Sequence, residues 1–351
     1  MRRASWWLAA LVVAGGFLVA GTPSARAGDD ATPAPAPVEP LPAVTPEKPK
    51  SEQKLSLDEL EARLLSRPGA AVAMIALKYG PALVGLVVGI LVWSRRRDER
   101  RGLVAPERAW SRPPGPFLVW PALVLGAVAM IGGGVVLEAM HRAFGGDVAK
   151  SIPGRLVATA LGSVPVAAAV AFAIHRAWAR RRGDGPASSP TARATPWPAR
   201  AAWKDGLASF CVASTVVVVV AAVTTFVMTR FGAPAEPQGL VLEVVQTKSD
   251  LDAWLIAVFG VVVAPVTEEY LFRGMLYPAF RDETSPLAGA ILSSVLFGAV
   301  HMSWTAGPAL FALAFVLCRL YERTGSVWPG VLVHALNNAT SLAPLLLLRY
   351  S

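Results

Sequence analysis

The sequence predicts an all-α, polytopic helical membrane protein with about eight transmembrane helices after a cleaved signal peptide. Of its 351 residues, 54% are hydrophobic and only 16% are charged, which is more apolar material than one soluble core can bury. Lys and Arg, which give the chain a formal net charge of +9, cluster beside long apolar runs. Basic residues in such places set membrane orientation, so the charge indicates a bilayer partner and no nucleic acid.

The first element, residues 1–27, has the pattern of a secretory signal peptide. Arg2 and Arg3 precede an apolar core of about 13 residues, and Ala25-Arg26-Ala27 supplies a small-x-small cleavage site. An uncleaved anchor is the alternative, which the shortness of the apolar core disfavours. We therefore expect a mature chain that starts near Gly28, outside the cytoplasm.

Residues 28–68 are expected to form an exported segment that leads up to the membrane. The stretch from Gly28 to Lys50 is rich in Ala and Pro, which favours an extended linker. Leucines then recur at helical spacing from Leu55 to Leu65, which indicates a short amphipathic helix. The segment is too short and too poor in apolar residues to form a binding domain.

Eight apolar segments follow, and most are long enough to cross a hydrocarbon core that needs about 20 residues. The seventh is short, and charged residues interrupt the fifth. We expect an N-terminal transmembrane region at 69–182, a basic, Pro-rich linker at 183–204 and a C-terminal core at 205–348. The segments are 69–93, 116–139, 156–178, 207–229, 251–279, 286–303, 308–322 and 327–348.

Basic clusters give the orientation of the spans. Arginines follow the first and third spans, at 95–101 and at 176–182, which predicts that these loops are cytoplasmic. The alternation that follows agrees with an exported N-terminus. We expect a bacterial inner-membrane protein whose polar C-terminal residues open toward the cytoplasm.

Ionisable residues inside the fifth apolar segment need a physical reason, since each costs roughly 2.5–3.5 kcal/mol near the bilayer centre. Glu269 and Arg273 are four residues apart and can pair on one helix face, which leaves Glu268 free to point elsewhere. Alternatively, the helix ends at Thr267 and the charged side chains that follow it are exposed to water at the membrane interface. The apolar character from Tyr270 to Phe280 favours a continuing helix and a buried site.

The last spans add two histidines and an asparagine at compatible depths. His301 lies about 24 Å from the cytoplasmic edge, close to the roughly 20 Å expected for Glu268. His334 and Asn338 share a helix face at about 10–16 Å, within reach if helices tilt or break. A lone histidine is more often a packing residue, so it is the convergence on neighbouring spans that predicts a catalytic site.

These groups could hydrolyse a peptide bond without a covalent nucleophile. A carboxylate can act as general base toward water, and an imidazole can orient that water. A second imidazole and a carboxamide can stabilise an oxyanion. The sequence lacks a Gly-x-Ser-x-Gly elbow, a phosphate-binding Gly-rich loop and a His-Glu-x-x-His helix, which disfavours serine hydrolases, nucleotide enzymes and common zinc peptidases.

The motifs resemble those of the CPBP intramembrane proteases, which include the CAAX prenyl endopeptidases and the bacterial Abi proteins. The family pattern is Glu-Glu-x-x-x-Arg, then Phe-x-x-x-His, then His-x-x-x-Asn, and it covers about residues 205–345. The residues that meet it, in order, are Glu268, Glu269, Arg273, Phe297, His301, His334 and Asn338.

The resemblance implies a role for each residue of the pattern. Glu268 and His301 would activate water, while His334 and Asn338 would stabilise the oxyanion. Glu269 and Arg273 would hold the shape of the site. Zn²⁺ bound by Glu268, His301 and His334 is an alternative. The same groups suffice for metal-free glutamate catalysis with no cofactor, which we favour.

The substrate implied by this resemblance is a membrane peptide or a small membrane protein. Bacterial relatives are linked to bacteriocin immunity and peptide maturation, and nothing in the sequence indicates a prenyl group. Two other functions stay open: a catalytically idle immunity or scaffold protein of the same fold, and an ion-coupled transporter. The absence of internal two-fold repeats disfavours the transporter.

Overall fold

A computed structural model describes residues 69, 72, 75–77, 79–87, 117–183, 200–232, 243, 244, 247 and 249–350. Throughout this described part of the chain the regular structure is helical and contains no strand, which confirms the all-α prediction. The predicted signal peptide, 1–27, and the exported segment, 28–68, lie outside the described residues.

Each apolar segment of the sequence overlaps one helix of the structure. A further helix of five residues, α3, joins two of the long ones. The helices of the described residues are α1 (Ile75–Val87), α2 (Val119–Phe144), α3 (Gly146–Lys150), α4 (Ile152–Gly183), α5 (Arg200–Arg230), α6 (Asp250–Glu283), α7 (Pro286–Val300), α8 (Gly307–Thr324) and α9 (Trp328–Tyr350).

Five of these helices, α2, α4, α5, α6 and α9, are long and apolar enough to cross a membrane. The chain is therefore a multi-pass membrane protein. Helices α1 and α7 are apolar but shorter, so the count of eight spans stays a prediction. Residues 200–204, expected in the linker, form the first turn of α5 instead.

Local signals in the sequence account for the tight turns between the C-terminal helices. Ser249 and Ser285 cap α6 and α7, where each hydroxyl accepts a hydrogen bond from a backbone N–H three residues on. Gly325 ends α8 with a φ of 71°, a left-handed conformation that glycine adopts without strain. These short connections make α6, α7, α8 and α9 successive neighbours in one bundle.

Small residues and aliphatic side chains hold the helices together. Gly162 of α4 lies so close to Gly132 and Gly133 of α2 that a Cβ atom there would overlap their backbone. Helices α5, α8 and α9 instead share a hydrophobic cluster that includes Phe210, Leu317 and Val333. The polar residues of the C-terminal spans are therefore enclosed by apolar packing.

Candidate active site

The two adjacent glutamates lie on an α-helical segment, Ala264–Glu269, within the long helix α6. π-Helical segments flank it on both sides, at Phe259–Val263 and Tyr270–Leu276. Such wide turns often mark functional sites in helices. Helix α6 continues to Glu283, so the alternative that it ends at Thr267 is wrong.

Glu269 and Arg273 form the ion pair that their spacing predicts. Arg273 Nη1 lies 2.7 Å from Glu269 Oε1, and the two side chains are 1% and 0% exposed. The attraction in such a pair offsets the free-energy cost of removing both charges from water only if the geometry is good and further hydrogen bonds form. Breaking it would leave a buried, uncompensated charge.

Phe297 of α7 covers the other side of the arginine. The guanidinium carbon of Arg273 lies 4.6 Å from the centre of the Phe297 ring, within the range of a cation–π contact. Phe297 is fully buried and also packs edge-on against Phe272. The aromatic ring therefore stabilises the arginine where hydrogen-bonding partners are few.

His334 lies between the two glutamates. Its Nδ1 is 3.1 Å from Glu269 Oε1, and its Nε2 is 3.7 Å from Glu268 Oε2. An ionised carboxylate only accepts hydrogen bonds, so Nδ1 carries the proton that binds Glu269. Nε2 is consequently the nitrogen that faces Glu268, at a distance beyond a direct hydrogen bond.

His301 follows the last residue of α7, is exposed, and contacts Phe297. Its Nδ1 lies 2.7 Å from the carbonyl oxygen of Phe297, which can only accept, so Nδ1 is the protonated nitrogen here too. The neutral ring then has its basic lone pair on Nε2. The His301 and His334 rings lie 4.9 Å and 5.6 Å from the Phe297 ring, which both therefore contact.

Asn338 follows His334 by one turn of α9 and is half-buried. Its Nδ2 donates a 2.8 Å hydrogen bond to the carbonyl oxygen of Gly260, in the first π-helical segment of α6. A carboxamide nitrogen carries two hydrogens, so this bond leaves one for another acceptor. The contact also ties α9 to the turn that precedes the glutamates.

The two glutamates differ in their access to solvent. The Glu268 side chain is 26% exposed, whereas that of Glu269 is sealed. Glu269 is held by Arg273 and His334, while Glu268 approaches only the far nitrogen of His334 among the described contacts. Glu268 can therefore meet a water molecule or a substrate, and Glu269 cannot.

Comparison with known proteins shows a family similarity for this part of the chain. Residues 250–340 match the family described as type II CAAX prenyl endopeptidase Rce1-like. This stretch of the chain is therefore similar to that family, and the match does not extend to the other spans. The matched region contains every residue of the site described above, from Gly260 to Asn338.

A curated bacterial protein gives a second match. The chain is 28% identical over 107 residues to a Bacillus subtilis (strain 168) protein named "Putative membrane peptidase YdiL". The alignment covers 30% of this chain and 42% of that relative, so the chain spans less than half of the length of the protein it matches. No solved structure matches the chain.

A close approach of backbone to carboxylate in the Rce1-like region was not visible in the sequence. A Cβ atom at Gly330 of α9 would lie 2.7 Å from Glu269 Oε2. Only glycine leaves room for the carboxylate at this point. The signal available in the sequence was a glycine one turn before His334, which spacing alone does not connect to Glu269.

A second buried polar group lies further along α6. Tyr277 Oη donates a 2.9 Å hydrogen bond to Glu322 Oε1 of α8, and Arg281 Nη1 lies 3.0 Å from the same oxygen. Arg281 also binds its neighbour Asp282. Arg281 and Glu322 are both buried.

Zinc binding by Glu268, His301 and His334 stays a prediction. Within the described residues, no three His, Cys, Asp or Glu side chains are grouped closely enough to hold one ion. The Nδ1 atoms of His301 and His334 are already bound to Phe297 and Glu269. A zinc ion would therefore be held by the two Nε2 atoms and by Glu268, whose Oε2 lies 3.7 Å from His334 Nε2.

Proposed function

We propose that this protein is an intramembrane endopeptidase that hydrolyses a peptide bond in a membrane peptide or small membrane protein. The observation that carries the proposal is the difference between the adjacent carboxylates: Glu269 is sealed in an ion pair, and Glu268 is partly exposed beside His334. The match of residues 250–340 to the Rce1-like family supports the same reaction.

In the proposed reaction, Glu268 takes a proton from a water molecule that His301 helps to orient. The water oxygen attacks the scissile carbonyl carbon, a C–O bond forms, and the carbonyl oxygen becomes an oxyanion. The proton held by Glu268 then passes to the leaving nitrogen as the C–N bond breaks. The products are a carboxyl end and an amine end, and no covalent enzyme intermediate forms.

His334 and Asn338 would stabilise the oxyanion. Asn338 has one carboxamide hydrogen left after its bond to Gly260. His334 already donates from Nδ1 to Glu269, so it can donate to an oxyanion only if Nε2 is protonated as well. The carboxylates of Glu268 and Glu269 flank the two ring nitrogens of His334.

The sealed residues would act as supports. Glu269 fixes the ring orientation of His334, and Arg273 fixes Glu269. Phe297 contacts both imidazoles and the guanidinium, so it would set their separation. A site supported in this way is pre-organised, which is the main source of electrostatic stabilisation of a transition state.

The cellular setting that we propose is a bacterial inner membrane, with the mature N-terminus outside and the site open toward the cytoplasm. The basic clusters beside the early spans support this orientation. The substrate would reach the site within the bilayer, so membrane peptides are the class to test first.

The test is proteolysis of a library of membrane-spanning peptides by the purified protein in lipid vesicles. Wild-type protein and Glu268→Ala are compared, each with and without a strong zinc chelator. The proposal predicts cleavage that the chelator leaves unchanged and that Glu268→Ala abolishes. Loss of cleavage with chelator would indicate a metalloprotease, and absence of cleavage by wild-type protein would favour an idle immunity or scaffold protein.

A further inference from the structure

The carbonyl group of Gly260 lacks the backbone donor that the π-helical pattern would give it. In the π-helical segment Phe259–Val263, the N–H of Ala264 binds the carbonyl of Phe259, five residues earlier. The same pattern would give Gly260 the N–H of residue 265. That residue is Pro265, which has no N–H.

A buried carbonyl without a donor is costly, and Asn338 satisfies it from another helix. Gly260 is buried, and Asn338 Nδ2 lies 2.8 Å from its oxygen. Since a carbonyl only accepts, the nitrogen of the carboxamide must face α6. The plane of the Asn338 amide is thereby fixed, and so is the direction of its second N–H.

We propose that Pro265 is a positioning residue that acts on Asn338 through the Gly260 carbonyl. Pro265 lies three residues before Glu268 in the same helix. Because it has no backbone N–H, Pro265 leaves the Gly260 carbonyl free to accept a hydrogen bond from Asn338. The consequence for catalysis rests on the proposed function, in which the second N–H of Asn338 stabilises the oxyanion. The consequence for structure does not rest on it.

The first test measures stability and needs no substrate. Unfolding midpoints in detergent are compared for wild type, Asn338→Ala, Pro265→Ala and the double variant, as a double-mutant cycle. In the wild-type background, Asn338→Ala should lower the midpoint by several degrees because the Gly260 carbonyl is left unsatisfied. In the Pro265→Ala background the shift should be much smaller, since the new N–H of residue 265 can bind that carbonyl.

A matched control separates this effect from a general effect of proline in a helix. Pro165 lies inside α4 with an exposed side chain, far along the chain from the site. Pro165→Ala supplies a helix N–H in the same way, but it should leave the effect of Asn338→Ala unchanged. Equal, additive effects of Asn338→Ala in all three backgrounds would overturn the proposal.

The second test uses the kinetics of a peptide that the wild-type protein cleaves. Pro265→Ala should lower kcat about tenfold and change KM less than about twofold, since loss of a whole oxyanion donor costs 10²–10³ in kcat. The double variant should be no slower than Asn338→Ala alone. A Pro265→Ala variant with wild-type kcat would overturn the catalytic part of the proposal.

The two tests fail in different ways. If the wild-type protein cleaves no peptide, the proposed function fails while the stability cycle still decides whether Pro265 and Asn338 are coupled. If cleavage depends on Glu268 but the cycle is additive, the peptidase proposal stands and the positioning role of Pro265 is wrong.

Discussion

Two i,i+4 ion pairs of the described chain, one in the N-terminal helices and one in the C-terminal helices, lie in opposite environments. In the N-terminal part, Arg142 and Glu138 pair with side chains that are 77% and 58% exposed. In the C-terminal part, the Arg273–Glu269 pair is sealed, and Arg281 and Glu322 are 5% and 1% exposed. Both regions are apolar helices, so overall hydrophobicity does not distinguish them.

This difference indicates that the C-terminal helices are constrained by more than helix packing. Exposed ion pairs contribute about 0–1 kcal/mol to the free energy of unfolding and can be lost with little effect. A buried ion pair is rarely more stabilising than apolar packing of the same volume. Helices α2 and α4 associate through small residues at Gly132 and Gly162. Helices α6–α9 bury charges against that energetic preference, as functional sites do.

The largest expected stability effect follows from breaking the sealed pair. Glu269→Ala leaves the Arg273 charge buried without its carboxylate and should destabilise the fold by about 3–5 kcal/mol. The matched control, Glu138→Ala in α2, should cost no more than about 1 kcal/mol. Chemical unfolding in detergent measures both, and equal losses would remove the contrast between the two regions.

A smaller effect is expected where α9 approaches Glu269. Gly330→Ala places a Cβ 2.7 Å from Glu269 Oε2, and such overpacking costs about 1–3 kcal/mol. Gly134→Ala in α2 is the control, because a Cβ there meets nothing within 4 Å and alanine favours a helix. The thermal unfolding midpoint should fall for Gly330→Ala and should stay the same or rise for Gly134→Ala. A neutral Gly330→Ala would contradict the close approach.

The smallest effect concerns the second buried polar group. Tyr277→Phe removes one hydrogen bond to Glu322 and should cost about 1 kcal/mol, or more if the carboxylate stays buried. Tyr350→Phe, at a half-exposed position that stacks on Trp254, should change the midpoint by less. If the two variants unfold alike, Tyr277 does not hold α6 to α8.

The sequence predicts those features of the site that depend on spacing within one helix. The pairing of Glu269 with Arg273 follows from their separation of four residues, and the shared face of His334 and Asn338 follows in the same way. Neighbouring glutamates about 100° apart on a helix can also both face one side chain of another helix. That is how Glu268 and Glu269 come to flank His334.

Contacts between helices are what the sequence could not supply. Depths counted along the helices from the cytoplasmic edge predicted that His334 lies nearer the membrane surface than Glu268. In the structure, His334 Nε2 lies 3.7 Å from Glu268 Oε2. The bond from Asn338 to Gly260 depends on a π-helical segment that a regular 3.6-residue period does not anticipate. The partnership of Tyr277 with Glu322 spans 45 residues and has no local signature.

The most direct test of the account compares two glutamates of the same chain, on a peptide that the wild-type protein cleaves in vesicles. Glu268→Gln keeps the volume of the side chain but removes the general base, and Glu138→Gln makes the same change at an exposed position in α2. We predict that kcat falls at least about a thousandfold for Glu268→Gln and is unchanged for Glu138→Gln. A Glu268→Gln variant that retained most of the wild-type kcat would contradict the assignment of the site.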